Sequence, residues 1–213
     1  MASMYEIIMD LPLFKGVGKD QVSQFLEKTP IEIINYKRGD VVMSEDQNVD
    51  LLCFILKGKV SIRHEISSLG LKIIEIRGEK TVMGANRLFG IHRQRKYRVM
   101  AESDVSIMQF GKESYMDLLG SNRIYLLNFF NYLSALGQRN IEAVMEIKKN
   151  DIESKLKLLV SGLTQSGALR IEIEGREENV ADFCGCSIER LREWKEKRAI
   201  ALNYSYSENK IIL

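Results

Sequence analysis

A chain of 213 residues, 45% hydrophobic and 28% charged, is long enough for two modest cores and lies in the ordinary globular range. Two prolines and fifteen glycines exclude a fibrous or disordered repeat, and a formal charge of +2 gives no overall pull toward nucleic acid or an acidic surface. The three cysteines, Cys53, Cys184 and Cys186, form neither a disulfide framework nor a four-ligand metal set, and read as small buried hydrophobes in a reducing compartment.

The opening MASMYEIIMDLP has no basic segment followed by an apolar run. No stretch approaches the ~18 apolar residues that cross a bilayer, so a soluble, cytoplasmic protein is expected. Residues 19–29 place Val22, Phe25 and Leu26 at helical spacing, which predicts a short amphipathic helix. From Ile31 onward short β-rich runs are punctuated by Gly39, Gly58, Gly70 and Gly78, and RKYRVMAESDVSIMQF closes the group near Phe110. Turn signals at that spacing predict a small antiparallel roll. The only histidines, His64 and His92, fall here without a Cys or acidic cluster at ligand spacing, so no metal site is expected.

After Gly111 the period turns helical. Leu126, Phe130, Leu133, Gly137, Asn140, Val144 and Ile147 advance by alternating steps of four and three, the pattern of a coiled-coil seam. A long helix between two domains has few other places to bury that seam, so it predicts a dimer interface with Asn140 setting register. The alternative is an intramolecular helix with Asn140 exposed. Leu127, Phe129 and Leu136 lie on an adjacent face that is expected to pack back on the roll. Lys148 to Asp151 breaks the helix, and Asn150 with Glu153 resembles a capping box for the next one. That helix runs through Leu156, Leu159, Val160 and Leu163. ALRIEIEG then alternates as a strand. The expected domains are 1–120, 121–149 and 150–213.

ENVADFCGCSIERLREWKEKRAI is the most informative segment. Val180, Ala181 and Phe183 form the inner face of a short helix, Gly185 supplies a positive-φ turn, and Ser187 suits the N-cap of a second helix anchored by Leu191 and Trp194. Two helices joined through such a turn are a helix-turn-helix pattern. The tail IALNYSYSENKIIL holds two alternating runs around Ser207 to Asn209, which predicts a terminal hairpin wing.

Here the chain resembles the Crp/Fnr transcription regulators over nearly its whole length. Val180-Ala181-Asp182-Phe183-Cys184-Gly185-Cys186-Ser187-Ile188-Glu189-Arg190-Leu191 stands where that family has its helix-turn-helix. Tyr36 with Gly39, and Phe54 to Val60, resemble its strand and Gly-turn pattern, and Met83 to Phe89 stands where it has G-E-L-G-L-F. The resemblance implies an α+β fold: an N-terminal antiparallel β-roll (jelly-roll-like) of the cyclic-nucleotide-binding type, a long dimerisation helix, and a C-terminal winged helix-turn-helix. It implies an effector in the roll, a homodimer, and reading of double-stranded DNA through Ser187, Ile188, Glu189, Arg190, Arg192 and Lys195. RNA polymerase is the further partner implied.

The departures concern the effector and the reading helix. Ala85 replaces the Glu that holds a ribose hydroxyl in nucleotide-binding members. Arg95-Lys96-Tyr97 replaces R-S-A, and Asn140-Ile141 replaces Thr-Ser. The expected pocket, Gly84, Ala85, Arg95, Lys96 and Asn140, therefore suits an effector other than cyclic AMP, or none. The basic run Arg93, Arg95, Lys96 and Arg98 reads equally as an anion site or as a solvated strand edge. Iron–sulfur cysteines and a haem ligand are missing, and no cofactor is evident. Ile188-Glu189 and Glu193 stand where readers often place Arg-Glu and Arg, and the second helix looks about one turn short before Ile200. From residue 151 on, ten Lys/Arg face eleven Asp/Glu, while 187–200 alone has five basic and three acidic residues, so any DNA surface is local. A binding module that has lost DNA recognition is the second reading. An enzyme is not expected, because the chain has no Cys–His pair, paired carboxylates or P-loop.

Overall fold

The computed structural model describes residues 4–45, 50–91, 96–148 and 151–213. Helices α1 (Met4–Met9) and α2 (Lys19–Lys28) precede the strands β1 (Glu32–Tyr36), β2 (Val41–Met43), β3 (Leu51–Lys57), β4 (Val60–Ile66), β5 (Leu71–Arg77), β6 (Val82–Met83), β7 (Tyr97–Ala101) and β8 (Val105–Gly111). Then come α3 (Lys112–Ser121), α4 (Arg123–Met145), α5 (Ile152–Ser161), β9 (Arg170–Gly175), α6 (Glu177–Cys184), α7 (Ile188–Ala201) and β10 (Lys210–Ile212). The chain divides into two compact units. The first runs to Ser61 and takes up Arg77–Ala135; the second joins Ile62–Ile76 to Leu136–Leu213.

In the first unit, β1, β8, β3 and β6 form an antiparallel sheet in that order, and β2 pairs with β7. Phe54 and Ile33 both lie opposite Met108, and Leu52 lies opposite Phe110. The predicted helix at 19–29 is α2, which buries Val22 and Phe25 and is closed at its start by the Gln21 side chain accepting from Gly18 N at 3.2 Å. Aromatic rings dominate the core. Phe14 packs against Phe25, Phe54 and Tyr125 at centroid distances of 5.2, 5.7 and 5.6 Å, and Phe110 meets Phe25 at 5.1 Å. Phe129 on α4 reaches Tyr115 at 5.5 Å. Its predicted inward face is thus present, but Leu127, placed on the same face by sequence, is 58% exposed.

In the second unit, the β4–β5 hairpin lies beside β9, and β9 beside β10, all antiparallel where their registers are described. Helix α5 is capped by Asp151, whose carboxylate accepts from Ser154 N at 2.8 Å; this corrects the expected cap at Asn150, which lies outside the described residues. The Asp151 backbone has the extended dihedrals of an N-cap position, φ −106° and ψ 115°, from which its side chain reaches Ser154 N. The core joins Leu71 and Ile73 to Ile152, Leu156, Val160, Ile173, Val180, Ala181, Cys184, Leu191 and Ile211. The predicted terminal hairpin is not formed. Helix α7 continues through Ile200, and the single strand β10 pairs with β9, so Ile211 meets Ile173 inside the core. Helical phase thus claims the first of the two alternating runs.

Helix α4 ends at Met145, so Ile147 at the end of the expected seam lies beyond it. Among the other seam positions, Phe130 and Val144 are exposed, as are Gly137 and Asn140, whereas Leu126 is half-buried and Leu133 packs against the first unit's core. The exposed apolar residues Leu127, Phe130, Ile141 and Val144 follow a seam displaced by one residue at Leu127 and Ile141. No described helix is long and apolar enough to cross a membrane.

Candidate nucleic-acid interface and effector pocket

The α6–α7 pair is built as its sequence suggested. Helix α6 ends at Cys184, Gly185 takes the left-handed dihedrals φ 60° and ψ 47°, and its N–H returns to Ala181 and Asp182. Ser187 then caps α7, its hydroxyl accepting from Arg190 N at 3.3 Å. Val180, Ala181 and Cys184 are buried; Phe183 is half-buried because the pitch of α6 turns it to the rim. Leu191 is fully buried and Trp194 packs at the core's edge. Helix α7 is fourteen residues long and is not cut short before Ile200.

Of the expected readers, Ser187, Glu189 and Arg190 are exposed at the start of α7 and Ile188 is half-buried. The Glu189 carboxyl is held below its ordinary range by its own backbone N–H, and further by the Ser187 hydroxyl, so it folds back on the helix end. Lys195 corrects the prediction. It is 2% exposed and its ammonium donates to Glu177 Oε1 at 2.7 Å and to the Glu208 carbonyl at 2.6 Å. Arg192 is exposed but donates to the other oxygen of Glu177 at 2.7 Å.

The organising group is Glu177, at the first turn of α6, which sequence reasoning missed. Besides Lys195 and Arg192 it accepts from the Tyr206 hydroxyl at 2.8 Å, and Lys195 lies over the Tyr206 ring at 4.9 Å. Burial pushes its carboxyl upward, but the hydrogen bonds from Lys195, Arg192 and Tyr206 outweigh that and hold it at about 2. Burial, and then the bond to Glu177, push the Tyr206 phenol up to about 12. The cluster ties α6, α7 and the C-terminal loop together. Arg198 adds a second tie, donating to the Ile212 carbonyl at 2.7 Å. A signal for Lys195 was available: it follows Leu191 by four and precedes Ala199 by four, on the inward stripe of α7.

Of the expected effector residues, Gly84, Ala85, Lys96 and Asn140 are described. Gly84 takes the left-handed φ of 88° that starts a short helical turn, and Ala85 is buried within the aromatic core of the first unit. Lys96 is exposed, Arg95 and its neighbours His92 and Arg93 lie outside the described residues, and Asn140 belongs to the second unit. Arg98 approaches Glu45 at 3.8 Å, which favours a solvated edge for that part of the basic run. Among the described residues no group of three His, Cys, Asp or Glu is placed to hold a metal ion.

Residues 33–122 match the cyclic nucleotide-binding domain family. No curated protein matches the chain by sequence. Among solved structures, the catabolite activator protein of Thermus thermophilus is 18% identical, with 94% of this chain and 92% of that one covered and a TM-score of 0.52. The sensor domain of the transcriptional regulator DNR from Pseudomonas aeruginosa is 17% identical over 61% of this chain and 90% of its own, with a TM-score of 0.52. A transcriptional regulator of Thermotoga maritima is 19% identical over 58% and 94%, with a TM-score of 0.51. Likeness at this identity is a likeness of fold. The chain is a mixed α+β protein with antiparallel sheets and a Crp/Fnr-like fold, in which residues 33–122 are similar to cyclic nucleotide-binding domains.

Proposed function

We propose that the chain is a dimeric, sequence-specific DNA-binding transcription regulator, not an enzyme. Helices α6 and α7 act as a helix-turn-helix, and α7 enters the major groove. The observation that carries this reading is α7 itself. It is capped by Ser187, fastened inward by Leu191, Lys195 and Ala199, and presents Arg190, Glu193 and Lys197 outward. Arg190 is the guanine reader and Lys197 a phosphate contact. Lys195 acts by positioning the helix.

The exposed stripe Leu127, Phe130, Ile141 and Val144 supports pairing of two α4 helices, with Ser134 and Gly137 allowing close approach between them. Ala85, closed into apolar packing, offers no acceptor for a ribose hydroxyl, which supports an effector other than cyclic AMP. RNA polymerase is a partner by resemblance alone. A ligand- or partner-binding roll protein without specific DNA recognition is the second reading. It is favoured by Arg192 and Lys195 both being drawn to Glu177, which leaves few free cations on α7.

Selection from a random double-stranded DNA pool at ~50 mM salt, where phosphate contacts are strong, separates the two readings. Enrichment of a palindrome whose half-site changes in Arg190→Ala supports the regulator. Absence of enrichment, with and without cell extract as effector source, supports the second reading.

A further inference from the structure

The sheet of the second unit contains a strand from far upstream. Strand β5 runs antiparallel to β9 with Leu71 opposite Gly175, Ile73 opposite Ile173 and Ile76 opposite Arg170. Leu71 and Ile73 are both fully buried, in the same core as Ile173, Val180 and Leu191. Three further hydrogen bonds close the seam. Asn179 Nδ2 donates to Gly70 O at 3.3 Å, Leu169 N to Ile76 O at 2.9 Å, and Gln165 N to the buried Glu75 carboxylate at 2.9 Å. At Gly175 a Cβ would come within 2.5 Å of the Leu71 side chain and 3.0 Å of the Gly70 carbonyl, so a larger residue there would displace the packing between the two strands.

We propose that the β4–β5 hairpin is a clasp on which the α6–α7 pair depends: the core that holds α7 is completed by residues lying about a hundred positions earlier in the chain. The chain passes between units at Ser61–Ile62 and Ile76–Arg77 as well as within α4. Without the hairpin, β9 loses its partner on one side and Ile173 and Val180 lose their cover.

The test needs no DNA and no effector, so it stands apart from the regulator reading. Trp194, the only tryptophan, sits on α7 and reports the unfolding of the second unit. Leu71→Ala should lower its fluorescence midpoint by more than about 5 °C, as loss of a buried leucine does in a domain of this size. A variant that does not fold gives no midpoint, so Lys72→Cys/Glu174→Cys is the second measurement. These residues are register partners, at a spacing a disulfide tolerates. The oxidised form should melt more than about 5 °C above the reduced form, since the bridge closes a long loop. An unchanged Trp194 midpoint in Leu71→Ala, failure of the cysteines to bridge in the folded protein, or equal midpoints for the oxidised and reduced forms would each overturn the proposal.

Discussion

The first unit is held by interlocked rings, among them Phe14, Phe25, Phe54, Phe110, Tyr115, Tyr125 and Phe129, contributed by β3, β8 and the helices around them. Among the described residues of the second, no aromatic ring is fully buried. Its core is aliphatic, Phe183 and Trp194 sit at its edge, and beside it Glu177 gathers two cations and a phenol. Rings bury large area through contacts that carry no charge, so the ring packing itself contributes stability that does not change between neutral and acid pH. A buried carboxylate with Lys195 contributes little net stability but enforces one geometry, because each partner is costly to leave unpaired. Such an arrangement suits a unit whose helix, on the function proposed above, presents Arg190 at a fixed angle.

Glu177→Ala should have the largest effect, since it strands a buried ammonium. It should cost about 3–5 kcal/mol in the second unit, read by Trp194 fluorescence in urea, and Glu177→Ala/Lys195→Met should recover most of that loss. If the double variant is no more stable than the single one, the charge is not what the second unit depends on. Leu52→Ala, in the ring-lined core of the first unit, should cost about 2–5 kcal/mol by far-UV circular dichroism. Its effect should be the same at pH 7 and pH 4, which sharpens the contrast with Glu177.

Acidification should act more gently, removing one charge without opening a cavity. The Glu177 carboxyl lies near 2 in the folded protein, below its ordinary 4.5. Its contribution is therefore complete above about pH 4.5 and is lost as pH falls from there toward 2. The Trp194 midpoint should drop across that window, and Glu177→Gln should flatten the drop. A drop of equal size in Glu177→Gln would assign the acid sensitivity to other carboxylates.

Much of the architecture was legible in local pattern. Period-two runs marked the strands, Val22 and Phe25 marked α2, and Gly185 followed by Ser187 marked the turn and cap between α6 and α7. These signals act within a few residues, through dihedral preference and i to i+4 contacts, and so survive in sequence. The candidate interface was legible only at its start. Lys195 was assigned by its charge to the outer face, although its spacing from Leu191 and Ala199 places it inward.

The sequence by itself determined the order of elements, the α+β class and the two-helix turn, because each follows from short-range periodicity and from residues suited to caps and positive φ. Only the tertiary structure decided which strand β9 joins, which face of α4 stays apolar and exposed, and where Glu177 finds its cations. Strand partners are chosen by backbone hydrogen bonds that every residue offers alike. The choice therefore falls to the packing of Leu71, Ile73 and Gly175, which lie about a hundred residues apart in the chain and meet only in the folded unit.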